Sequence, residues 1–141
     1  LNNLALLYKS QGRYTEAEPL YLQALELYRR LLGEEHPSVA TSLNNLALLY
    51  DSQGRYTEAE PLYLQALELR RRLLGDEHPD VAQSLNNLAL LYKSQGRYTE
   101  AEPLYLQALE IRQQVFGDNH QYTATVRKNL ERLRAAIHSG G

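Results

Sequence analysis

Three identical octets set the frame of the chain: Leu1-Asn2-Asn3-Leu4-Ala5-Leu6-Leu7-Tyr8 returns at Leu43–Tyr50 and again at Leu85–Tyr92. The period is therefore 42 residues. Three periods occupy residues 1–42, 43–84 and 85–126, and the last 15 of the 141 residues begin a fourth, in which Asn129, Leu130 and Leu133 still match Asn87, Leu88 and Leu91. Between the first and second periods only five positions differ: Lys9/Asp51, Tyr28/Arg70, Glu34/Asp76, Ser38/Asp80 and Thr41/Gln83. Such uniformity means that every unit meets the same packing requirement, the signature of a repeat architecture.

Within one period the apolar residues recur at helical spacing. Val81, Ala82, Leu85, Leu88, Ala89 and Tyr92 fall on one face of a helix, A, that the pattern places at 79–95. Pro79 suits its first turn, where the missing amide has no intrahelical partner, and Gly96 stops it. Ala59, Leu62, Tyr63, Ala66, Leu67, Leu73 and Leu74 mark a second helix, B. Thr57 and Glu60 have capping-box spacing, which puts the start of B near Thr57 and leaves Pro61 in the first turn. Gly75 closes B after Arg70, Arg71 and Arg72, whose charge complements the helix C-terminus. Two helices of about four turns cannot bury their apolar faces alone, so the units must stack.

Leu46, Ala47, Tyr50, Gly54, Tyr56, Ala59, Tyr63 and Ala66 stand at the spacings of the tetratricopeptide repeat, which the chain resembles in all three units. The 42-residue length, with Gly-Asp-Glu-His-Pro, Leu-Asn-Asn-Leu-Ala and Ala-Glu-Pro-Leu-Tyr, is similar to the repeats of kinesin light chain and related bacterial arrays. The common unit has 34 residues. Leu43 where a bulky aromatic is frequent, and the lack of a proline closing B, depart from the short form and lengthen B to Gly75. The resemblance implies an all-α, right-handed solenoid of antiparallel helix pairs, forming one domain. It also implies a non-catalytic scaffold that holds an extended peptide in a concave groove lined by A helices.

Rotation by 100° per residue from the stripe centred on Leu85 puts Gln83, Asn86, Leu90 and Lys93 on the opposite side of helix A. The groove set is completed by Thr41, Asn44, Leu48 and Asp51, by Asn2, Leu6 and Lys9, and by Thr125 and Lys128. Asparagine is a mediocre helix former, so a ladder of Asn2, Asn44 and Asn86 points to a role beyond helix formation. Its amides can pair with the main chain of any extended peptide. Asn3, Asn45 and Asn87 can instead join adjacent helices. An architectural spacer or self-associating array is the alternative function.

The tail differs. Arg127, Glu131 and Arg134 replace the Leu, Ala and Tyr that face a helix B, while Val126, Leu130, Leu133 and Ile137 keep the stripe that meets the preceding unit. Residues 121–138 are therefore expected to form a capping helix. The same stripe on the first helix selects Leu4 and Leu7, which have no preceding unit; an uncovered apolar end of this kind predicts weak homodimerisation. Helix A of the first unit lacks its starting turn, as though cut from something longer.

Composition narrows the function further. Fifteen basic against 17 acidic residues supply no surplus for a nucleic acid backbone, and without Cys there is neither a disulfide framework nor a thiolate metal site. His36, His78 and His120 stand one repeat apart, on the order of 10 Å, too far to share an ion, and are expected to bond at helix starts. No cofactor and no metal are expected. No grouping of nucleophile, base and orienting acid is visible, so no enzymatic role is expected. No apolar run approaches the roughly 20 residues that cross a bilayer, Leu1-Asn2-Asn3-Leu4 lacks the basic start of a signal peptide, and the cytoplasm is the expected default compartment. The expected partner is a protein or peptide.

Overall fold

In the computed structural model, which describes residues 2–140, seven helices and no strands are formed among the described residues. They are α1 (Asn2–Ser10), α2 (Tyr14–Leu32), α3 (Pro37–Ser52), α4 (Tyr56–Leu74), α5 (Pro79–Ser94), α6 (Tyr98–Phe116) and α7 (Gln121–Gly140). Odd-numbered helices are the A helices of the sequence pattern and even-numbered ones the B helices. The fold is an all-α helical repeat. The chain falls into two compact units, Leu1–Leu73 and Leu74–Gly141. In the first, α2 packs on both α1 and α3; in the second, α6 packs on both α5 and α7.

Helices approach closely where their side chains are small. Ala5 and Ala17, Ala47 and Ala59, and Ala89 and Ala101 are fully buried, and the larger core side chains Tyr63, Leu49, Tyr105 and Leu91 fill the space around these crossings. In α7, Val126, Leu130 and Leu133 are buried, while Glu131 and Arg134 are exposed and Arg127 is half-buried.

Each A-to-B turn is closed by Gln-Gly-Arg. Gly54 has φ 76°, its amide donates to the Asp51 carbonyl at 3.0 Å, and the Arg55 amide donates to the Tyr50 carbonyl at 2.8 Å. These two bonds satisfy carbonyls that the helix leaves without partners. Arg55 then holds the turn by its side chain. Its guanidinium lies 4.2 Å from the Tyr50 ring centre, donates to both oxygens of Glu58 at 2.9 and 2.5 Å, and reaches back to Glu18 on α2 at 2.7 Å. Arg13 and Arg97 pair in the same way with Tyr8 and Glu16, and with Tyr92 and Glu100.

This turn corrects the expected capping box. Helix α4 begins at Tyr56, not Thr57, so Pro61 is its sixth residue and forgoes a bond to the Thr57 carbonyl inside the helix. At the two corresponding helix starts, Arg13 and Arg97 occupy the N-cap position and make no side-chain cap bond, and Glu18 and Glu102, the equivalents of Glu60, pair with Arg55 and Arg134. The histidines do cap. Nδ1 of His36, His78 and His120 accepts the amide two residues on, at 3.0, 3.0 and 3.1 Å. Each ring thus satisfies one of the donors that opens an A helix.

Ala59 lies at a helix crossing with no exposed surface. Ala59→Leu should cost about 1 to 3 kcal/mol in denaturant melts, because the added carbons must part α3 and α4; an unchanged midpoint would contradict the crossing.

Candidate interaction surface

The residues expected to form a groove divide by burial. Leu6, Thr41, Gln83, Leu90, Thr125 and Lys128 are exposed, and Lys9, Leu48, Asp51 and Lys93 are half-buried. The side chain of Asn2 lies outside the described residues. Asn44 and Asn86 correct the sequence reading: only 4% and 8% of their surface is open. In the second unit the reason is visible, because Nδ2 of Asn129 on α7 donates to Oδ1 of Asn86 on α5 at 3.1 Å. By rotation alone Asn86 falls opposite the core stripe, but a neighbouring A helix covers that side. Asn44 and Asn86 are thus turned inward, toward helix packing.

Asp51 is a polar centre in the first unit. Its Oδ2 accepts the Tyr63 hydroxyl at 3.2 Å, and Lys9 on α1 is electrostatically coupled to it. Burial raises the Asp51 carboxyl above its ordinary range, against the opposing effects of Tyr63 and Lys9, and burial likewise lowers the Lys9 ammonium. Tyr63 itself is pushed up, by burial first and then by the carboxylate. The second unit has Lys93 at the corresponding place. Lysine offers no acceptor, and the hydroxyl of the fully buried Tyr105 has no hydrogen-bond partner.

The arginines at 70–72 do more than complement a helix end. Arg70 is buried, with 4% of its surface open, and its Nη2 lies 3.4 Å from the Thr41 hydroxyl. Arg72 forms a two-bond pair with Glu35 at 2.8 and 2.9 Å and meets Glu68 at 3.2 Å. Position 70 stands three and four residues from Leu67 and Ala66, so its place in the apolar stripe is a signal for burial that the charge obscures.

Leu4 and Leu7 on α1 are 43% and 50% exposed, whereas Leu46 and Leu49 on α3, and Leu88 and Leu91 on α5, are at most 3% exposed. The fourth and seventh positions of the octet are thus buried in two copies and exposed in the first.

Helix pairs of fixed length, joined by a repeated Gly-Arg turn and packed on alanines, define a helical repeat protein. Its sequence matches the tetratricopeptide repeat profile over residues 1–72, 48–113 and 80–138, and the chain belongs to that family. It is similar to the nearly identical repeats of a Podosopora anserina protein assigned to the kinesin light chains, with 29% identity, a TM-score of 0.88, and 97% of this chain and 65% of that one covered. It is also similar to BtubC from P. vanneervenii, with 30% identity, a TM-score of 0.77, and coverages of 97% and 63%. The chain thus spans just under two thirds of the length of these relatives. The Yersinia enterocolitica type III secretion translocator chaperone SycD shares the fold at 17% identity and a TM-score of 0.70, with 97% of this chain and 83% of that one covered. This fold is typical of protein-interaction scaffolds. No helix among the described residues is long and apolar enough to cross a membrane.

The two tyrosines make a matched pair for experiment. Tyr63→Phe should destabilise the protein by about 0.5 to 1.5 kcal/mol, the net worth of a hydrogen bond, whereas Tyr105→Phe should be neutral or stabilising because it removes a buried hydroxyl that bonds nothing. Equal losses in chemical melts would refute the distinction.

Proposed function

We propose that the protein is a non-catalytic scaffold that binds an extended segment of a partner protein along the open faces of its A helices. The supporting observation is the pairing of apolar and charged side chains there. In the first unit Leu6 and Leu48 accompany Lys9 and Asp51; in the second Leu90 accompanies Gln83 and Lys93. Leu6 is 57% exposed on a helix whose other face is committed to packing, and Leu90 is 36% exposed. Contact with these leucines supplies affinity, and the flanking polar groups supply hydrogen bonds and select sequence. Burial of Asn44 and Asn86 moves recognition from amides to leucines and charges. Lys9, Asp51 and Lys93 differ in sign, so a uniformly acidic ligand is not favoured.

A peptide-library selection against the chain tests this reading. Selected peptides should lose about 1 to 2 kcal/mol, roughly five- to thirtyfold, on Leu90→Ser, with no change in helicity. A selection that returns nothing above background would reject recognition and favour the spacer.

The exposed Leu4 and Leu7 support a second reading, self-association through α1. A second copy of the chain is the occupant, because Leu4 and Leu7 hold the octet positions that are buried as Leu46 and Leu49 and as Leu88 and Leu91. Sedimentation should show a weak, concentration-dependent dimer that Leu7→Lys abolishes. A strict monomer, or a dimer untouched by the substitution, would reject this reading.

A further inference from the structure

The second unit contains a cation that no carboxylate answers among the described residues. Arg112, near the end of α6, occupies the place that Arg70 holds in α4 and Tyr28 in α2. Its Nη1 donates to the carbonyl of Tyr122 at 3.0 Å. Its Nε is buried and has no hydrogen-bond partner among the described residues. A cavity of about 210 Å³ is lined by Pro79, Asp80, Gln83, Arg112, Phe116 and Tyr122.

The walls of the cavity touch one another and their neighbours. Phe116 stacks on His120 at 4.6 Å and meets Tyr122 edge-on at 5.2 Å, while the Thr123 hydroxyl donates to the carbonyls of Arg112 and Gly117 at 3.1 and 2.8 Å. These bonds hold the end of α6 against the start of α7. The arginine therefore stands in a formed pocket, with one terminal nitrogen committed to Tyr122.

An arginine carries five donors and no acceptor, and its Nε edge is suited to a two-bond contact with a planar carboxylate. Leaving such a donor buried without an acceptor is costly, so an acceptor that reaches it gains more than one that merely replaces water. Aromatic rings beside the cation favour an apolar stem behind the charged group. Asp80 is the opposing feature. It is exposed at the rim and repels an anion, which weakens the site without filling it.

We infer that the pocket at Arg112 binds a carboxylate borne on a short apolar or aromatic stem. The carboxylate has two sources, a free acid terminus or the side chain of an acidic residue within a peptide. The site is independent of the peptide-binding reading, because a small acid suffices to occupy it.

The test is a nitrogen-15 NMR titration of the whole chain that follows the Arg112 Nε–H and the Tyr122 amide. The probes are N-acetyl-phenylalanine, its C-terminal amide, and N-acetyl-glutamate amide. The free acid should shift both resonances saturably, and the phenylalanine amide should not. A response to N-acetyl-glutamate amide assigns the site to side-chain carboxylates, and its absence assigns it to free termini. Asp80→Ser, which installs the residue found at position 38 of the first repeat, should tighten binding about two- to fivefold, the range of one exposed charge interaction. Arg112→Gln should abolish binding. Equal shifts from acid and amide, no response to either acid, or unchanged affinity in Asp80→Ser would overturn the inference, and that last variant leaves the packing of Arg112 intact.

Discussion

Two helices can pack with their backbones close only where little stands between them, and this chain reserves that place for alanine. Ala5 and Ala17, Ala47 and Ala59, and Ala89 and Ala101 are buried to the last atom. A methyl group lets each A helix lie against its B partner, and the tyrosines at 21, 63 and 105 then fill the flanking volume. Without these contacts the Gly-Arg turns would close on nothing. With them, the arginine at each turn can lie over a tyrosine of the helix before it and pair with a glutamate of the helix after it. The turn thus fixes where helix B starts without needing a capping side chain.

Much of this is legible in one line of sequence, because it depends on residues close together in the chain. The period, the helix stripes, the glycine stops and the capping histidines all follow from local spacing. The Arg55 contacts are as local as these, yet Thr57 and Glu60, at capping-box spacing, offer a competing reading of the same turn. Spacing cannot reveal which side of a helix its non-sequential neighbours cover. Asn86 looks free on a helical wheel because the wheel contains only its own helix, and Asn129 comes from 43 residues away. Arg70 is obscured for a related reason: a charge in an apolar stripe reads as exposed until a partner such as Thr41 is found beside it.

The near-identity of the units throws their few differences into relief. Position 51 carries a carboxylate that bonds Tyr63, whereas position 93 carries a lysine and leaves Tyr105 without a bond. Positions 28, 70 and 112 hold a tyrosine, a buried arginine bonded to threonine, and an arginine facing a cavity. All lie on the B-helix stripe or the A-helix faces rather than at the alanine crossings. The architecture therefore separates what must be copied from what can vary, and chemical individuality accumulates only at the variable places.

The charges of α7 set it apart from the other A helices. In every earlier A helix the places of Arg127, Glu131 and Arg134 hold Leu, Ala and Tyr, and Arg134 is already engaged with Glu102 on α6 at 3.3 Å. A helix pair packed on the far face of α7 would have to bury those ionic groups, whereas α1 still presents Leu4 and Leu7 in the form that the interior copies bury. One helical pattern thus carries two opposite surfaces, apolar on α1 and ionic on α7, and the difference lies in a few side chains rather than in the backbone that presents them.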